Sequence, residues 1–310
     1  AHVEPWGFAF IVLQVLAGLS IFRMFVILHE CGHRTLFRHR LVNSIVGHVA
    51  SIFCLVPYFP WRHIHLLHHR WVGVIDKDPT QRDLLKLRDA PAAQDALFRI
   101  LWRLWIPLPF MKFLFEVFWG YPGARIRDRD RKHAWQGLIS VAVCLAAHGA
   151  AIAVLGPGSW ATYFLPMLFV FYLMIENMNL PQHSGLFPYL SDTHPAPIAL
   201  AQQDAITRSS HMPDWLGVAL ALNFNRHVEH HLFPAAPWYA LNRVRTRLSD
   251  SFAYKPPHEV PFMGFMIRLR RQDPLTIYRD RLPQPGASSV TAASSAGNAA
   301  PPVAVAQEAT

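Results

Sequence analysis

The chain has 310 residues, of which 52% are hydrophobic and only 16% charged, with a formal net charge of +9. Soluble domains carry about 25% charged residues, so this balance points to a membrane protein. The basic excess flanks apolar runs, which favours anionic lipid head groups as its partner and argues against nucleic acid.

In chain order, residues 7–28 form an apolar run long enough to span a bilayer, broken only by Gln14 and Arg23. His29-Glu-Cys-Gly-His33 follows, an i,i+4 pair sharing one helix face. Residues 41–59 are nearly long enough to cross. Crossing would strand the first histidine pair on the opposite side from the next cluster, so the segment is expected to be an in-plane or re-entrant helix. His65-Leu-Leu-His68-His69 is an i, i+3, i+4 triplet. His63 competes with His65, but His65 completes the spacing found again at 227–231. Residues 98–119 mix Arg99, Arg103, Lys112 and Glu116 with Trp, Phe and Leu, and are expected to lie in the interface.

Residues 136–155 and 160–176 are two further candidate spans, joined by a turn at Gly156-Pro157-Gly158-Ser159. Asn179 and His183 follow, one helical turn apart. Residues 215–224 are too short to span and are expected under the last cluster, His227-Val-Glu-His230-His231. Basic residues gather beside the histidines, at Arg34, Arg38, Arg40, Arg62, Arg70, 125–132, Arg226, Arg243, Arg245 and Arg247. The positive-inside rule places them, and the histidines, on the cytoplasmic side. Residues 284–310, rich in Ala, Ser, Pro, Gly and Val, read as a disordered tail behind a single domain at 1–283.

The clustered histidines exceed what one metal takes. A zinc site closes with about four ligands, so the spacing points to two metals, and imidazole suits Zn, Cu, Fe and Ni alike. Glu30 and Glu229 adjoin ligand positions and are expected to accept imidazole N–H groups, fixing ring orientation. His2, His39, His48, His133, His148, His194, His211 and His258 stand alone and read as surface or packed residues. Cys31 reads as a small packing residue. Three cysteines are too few and too scattered for a disulfide framework or a Cys₄ iron–sulfur cluster.

The three clusters, Asp76-Lys-Asp-Pro79, and the stretch from His230 through Pro234 and Trp238 to Leu241 resemble the membrane fatty acid desaturase superfamily. The resemblance covers residues 29–240. It implies an all-α integral membrane protein, its spanning helices carrying a cytoplasmic helical cap with a histidine-rich di-iron site. By this resemblance, His29, His33, His65, His68, His69, His183, His227, His230 and His231 bind two iron ions, and Asn179 contacts one through a water. O2 is the co-substrate, and no catalytic residue beyond the ligands is implied. The substrate is an acyl lipid or acyl thioester. Electrons come from an external donor of ferredoxin or cytochrome b5 type, because His194-Pro195 is followed by Ala-Pro and no fused carrier is visible.

Related hydroxylases and carotenoid ketolases share the scaffold and form the alternative. The third cluster begins with His rather than Gln, which argues against the front-end type. Family members usually have two spans before the first cluster, so an upstream span is expected to be missing or the hairpin shortened. The expected location is the inner (cytoplasmic) membrane, with the site on the cytoplasmic side. A non-catalytic metal transporter would need polar residues lining its spans, and 7–28 and 160–175 offer almost none.

Overall fold

A computed structural model describes residues 4–250 and 259–284; the tail expected at 284–310 lies outside the described residues except for its first position. Helix α1 (Phe8–His33) runs past the apolar stretch, so that His29 and His33 form its last turn. Arg34, with a left-handed φ of 63°, ends it. Helices α2 (Arg40–Cys54) and α3 (Tyr58–Trp71) are bent by 100° to one another across Leu55-Val56-Pro57.

The path of this pair follows from its contacts. Cys54 approaches the Ile21 carbonyl at 3.6 Å, which lies roughly 18 Å down α1 from His33 at 1.5 Å per residue. Tyr58 already donates to the Cys31 carbonyl at 2.8 Å. The chain thus descends beside α1 and comes back to the same end. Gly47 makes the return possible: a Cβ there would lie 2.3 Å from the Tyr58 ring.

The stretch 98–119, expected to lie in the interface, is not one continuous helix. It divides into α4 (Ala92–Arg103), α5 (Leu108–Leu114) and a wide turn at Phe115–Trp119, followed by α6 (Tyr121–Arg127). Trp105 takes a φ of 57° and Pro107 cannot donate, so the helix stops after Arg103 and restarts after Pro107.

Helix α7 (Arg131–Leu155) starts where the Asp130 carboxylate accepts the His133 amide. Helix α8 (Pro157–His183) follows after Gly156 alone (φ 78°). The connection is shorter than the four-residue turn expected, because Pro157 already serves as the first helical residue. The rest forms a cap: β1 (Ser209–His211), α9 (Asp214–Ala221), α10 (His227–Leu232), α11 (Leu241–Asp250), β2 (Glu259–Pro261), α12 (Phe262–Arg271) and α13 (Pro274–Ile277). Strands β1 and β2 pair in parallel, a small patch in an otherwise helical protein.

α1, α7 and α8 are long and apolar enough to cross a membrane. Phe22, Phe25, Phe171, Tyr172 and Ile175 fill the core between α1 and α8. Phe8, Leu145, Val154 and Phe169 lie exposed on the outer faces of the long helices, where a bilayer would bury them.

Candidate metal centre

The ends of α1 and α8 meet α3 and α10, and the nine clustered histidines fall into two groups. His29, His33, His65, His69 and His230 form one; His68, His183, His227 and His231 form the other. Within each, the nitrogens lie within 4.8 Å of one another. Each triplet splits. α3 sends its i and i+4 rings to the first group and its i+3 ring to the second, and α10 does the reverse. The spacing therefore serves two centres because each helix lies between them.

The rings meet through nitrogen. Nε2 of His65 lies 2.8 Å from that of His33 and 3.1 Å from that of His69, which is 3.0 Å from that of His230. Nε2 of His183 lies 3.1 Å from that of His68 and 2.7 Å from that of His227. A ring nitrogen offers either one N–H or one lone pair, so His65, His69 and His183 cannot satisfy two partners by hydrogen bonding. The Nε2 atoms of His29 and His231 are buried with no hydrogen-bond partner among the described residues. Convergent lone pairs with orphaned nitrogens fit one cation per group, and the all-imidazole donor set suits Zn, Cu, Fe and Ni alike. Burial, then neighbouring imidazoles, push His227, His230 and His231 well below the usual histidine range. These rings are therefore neutral, the form that binds metal.

Of the two carboxylates beside the ligands, Glu30 meets an imidazole as expected and Glu229, among the described residues, does not. Glu229 accepts from Ser209 Oγ at 2.6 Å and from Arg245 at 3.2 Å, and from no imidazole. Glu30 reaches His29 Nδ1 only at 3.4 Å; its closer donors are Thr35 Oγ1 at 2.7 Å and the Trp238 amide at 3.0 Å. Glu30 ties the end of α1 to the Trp238 segment, and Glu229 ties α10 to β1 and α11. Arg226 and Arg245, among the basic residues beside the third cluster, turn to Asp214, Glu229 and Glu259.

Two further imidazole acceptors are Asp78 and Gln203. His68 Nδ1 donates to Asp78 Oδ2 at 2.8 Å, and His231 Nδ1 to Gln203 Oε1 at 2.8 Å. The Thr80 amide and hydroxyl hold Asp78, and Gln203 donates in turn to the His69 carbonyl at 2.8 Å. Asp78 lies in the Asp-Lys-Asp-Pro stretch that carried the resemblance, a signal that could have given it this role. Gln203 has no local signal.

His63 joins neither group. It bonds the Tyr121 hydroxyl and stacks on His133 with centroids 4.2 Å apart. Asn179 donates its amide to the Ile175 carbonyl at 2.9 Å, one turn before His183. His48, His148 and His133 bond Ser140, the Ile52 carbonyl and Asp130, away from both groups. His2 and His258 lie outside the described residues.

The family model for fatty acid desaturase matches residues 5–262. The chain belongs to the fatty acid desaturase family. Among its relatives is an omega-3 fatty acid desaturase of Caenorhabditis elegans, 27% identical over 275 residues, covering 80% of this chain and 64% of the relative. An sn-1 oleoyl-lipid 12-desaturase of Picosynechococcus is 27% identical over 258 residues, covering 81% of this chain and 72% of the relative. An sn-1 acyl-lipid omega-3 desaturase (ferredoxin) of Nostoc is 31% identical over 96 residues, 30% of this chain and 26% of the relative. The chain thus spans about two thirds of the length of the first two relatives. With its three long apolar helices, this desaturase-family chain is an all-α membrane protein.

Proposed function

We propose that this protein is an oxidoreductase that uses O2 to place a double bond in an acyl chain. The observation that carries the reading is the division of nine buried or half-buried imidazoles into groups of five and four. In this reading the two groups hold two iron ions, and Asn179 contacts one of them through a water. Iron with O2 supplies the oxidant that an unactivated methylene requires. The chain's own part is to orient the rings through Asp78 and Gln203, to keep the site dry, and to present the acyl chain. The names of the Picosynechococcus and Nostoc relatives support an acyl lipid over a thioester and ferredoxin as a type of electron donor. The return of α3 to the end of α1 supports a re-entrant α2–α3 pair, with the whole site on one membrane face. The basic flanks favour the cytoplasmic face of the inner membrane.

Expression in a bacterial host followed by mass spectrometry of its lipids tests this. Acyl chains lighter by two hydrogens are the expected product. Chains that gain oxygen would move the protein to the hydroxylases and ketolases of the scaffold, and unchanged lipids with iron bound would overturn the reading.

A further inference from the structure

One small cleft touches both groups of imidazoles. Its wall includes His29 and His230 from the group of five and His227 from the group of four. The remaining wall is largely apolar: Val26 of α1, Leu222, Phe224 and Trp238. A carbon placed here is within reach of both groups. The cleft measures only ≈ 10 Å³, room for about one water, so an acyl chain enters only by displacing a side chain.

Phe224 is the aromatic ring of this wall in contact with a histidine of each group. It is buried and presents its ring edge-on to His29, with centroids 5.4 Å apart and planes at 87°. It also lies 6.2 Å from His227 and within 6.0 Å of Phe22 and Phe25. The backbone that delivers it is strained. Leu222 and Asn223, neither of them glycine, take φ values of 45° and 60° in succession, a left-handed conformation that a residue such as Leu keeps only when the surroundings hold it. The holding contacts lead to the opposite wall. The Asn223 amide donates to the Gly217 carbonyl and its side chain to the Trp238 carbonyl, each at 3.0 Å, and the Trp238 amide donates to Glu30 beside His29. Turn, Trp238 and first histidine pair form one mechanical unit.

We propose that the Leu222-Asn223-Phe224 turn and Trp238 form the slot that admits the acyl methylene chain, and that the bulk of Phe224 sets which carbons stop beside the two groups. The inference rests on the desaturase reading above. Phe224 is a positioning residue in this scheme: it takes no electron or proton, and it limits how far the chain advances.

The test uses the full chain in phosphatidylcholine–phosphatidylglycerol vesicles with a lipid whose acyl chain carries a mid-chain diazirine. Photolysis is expected to label peptides containing Leu222, Phe224 or Trp238, and Phe224→Trp to cut that label about tenfold, since one misfit methylene in an apolar slot is worth 10-fold or more. In the lipid-profiling host, Phe224→Ala and the milder Phe224→Leu are expected to move the double bond or the preferred chain length, at parental iron content. Phe224→Tyr is expected to restore the parental product. Absence of label at all three positions, while the lipid-facing surfaces of α1, α7 and α8 are labelled, overturns the slot. A parent that desaturates while Phe224→Ala and Phe224→Leu keep its product distribution overturns the role of Phe224 alone. A parent that binds iron and leaves every acyl chain unchanged sinks the desaturase reading and this inference with it.

Discussion

Asp78 and His68 face one another across 2.8 Å, carboxylate to Nδ1, and both are buried. The pairing fixes the His68 tautomer with Nε2 free to face His183. Asp78→Asn keeps the shape and the contacts to Thr80 but replaces the charged acceptor with a neutral amide. Loss of such a partner costs about 10–100-fold in metal affinity. Iron per protein, measured by plasma mass spectrometry after dialysis against a graded chelator series, is expected to fall accordingly, with the fold intact by circular dichroism. Parental retention across the series would show that Asp78 serves only its turn with Thr80.

The split into two groups makes a stoichiometric prediction. His183→Ala removes one of four nitrogens from the smaller group, and His33→Ala one of five from the larger. Each is expected to lower bound iron from two toward one and to abolish turnover. His63→Ala is expected to keep both irons, because His63 is engaged with Tyr121 and His133. Loss of iron in His63→Ala, or full activity in His183→Ala, would reverse these assignments.

Much of this site is legible in the sequence because its signals are local. One helical turn relates the members of each triplet, so H-x-x-H-H states a shared face before any fold is known. The need to bring two histidine clusters together is the ground for expecting that 41–59 does not simply cross. What the sequence does not carry is set by contacts between distant elements. Whether His68 joins His69 or His183 depends on how α3 lies against α8 and α10. Gln203 meets His231 across 28 residues with no periodic marker. Glu229 sits beside two ligands in the chain, yet the turn of α10 aims it at Ser209 and Arg245 instead. The break within 98–119 is a local signal, Pro107 and Pro109, outweighed in the sequence reading by the segment's composition.

Gly32, inside the first cluster, has a steric role that its neighbours' chemistry conceals. A Cβ there would lie 2.5 Å from the Trp61 ring. Trp61 stacks on His65, centroids 4.5 Å apart and planes at 18°, so it is the surface against which that ring rests. Gly32→Ala must move Trp61, and His65 with it. Overpacking of this kind costs about 1–3 kcal/mol. The expected outcome is lower iron occupancy and a lower melting temperature, with Gly32→Ala/Trp61→Phe recovering part of both. An alanine variant with parental iron content would show that Trp61 has room to retreat.

A buried ion pair joins the cap to the span that delivers His183. Arg270 of α12 donates to Glu176 of α8 at 2.6 Å and to Asn177 at 3.2 Å, and its guanidinium lies 4.4 Å from the Trp102 ring centroid and 5.1 Å from that of Trp105. Glu176 stands two helical turns before His183, so the pair sets where the end of α8 rests. Charges this deep contribute little net stability as a pair but are costly to separate, about 3–5 kcal/mol when one partner is removed. Arg270→Met is therefore expected to lower the thermal midpoint in detergent strongly, because it leaves the Glu176 carboxylate without its cation. Glu176→Gln is expected to do less, since Gln still accepts from Arg270. The double variant Arg270→Met/Glu176→Gln should recover much of the loss, as it leaves no buried charge. If the effects of the two single variants simply add, the pair is not coupled and the cap is held on α8 by apolar packing alone.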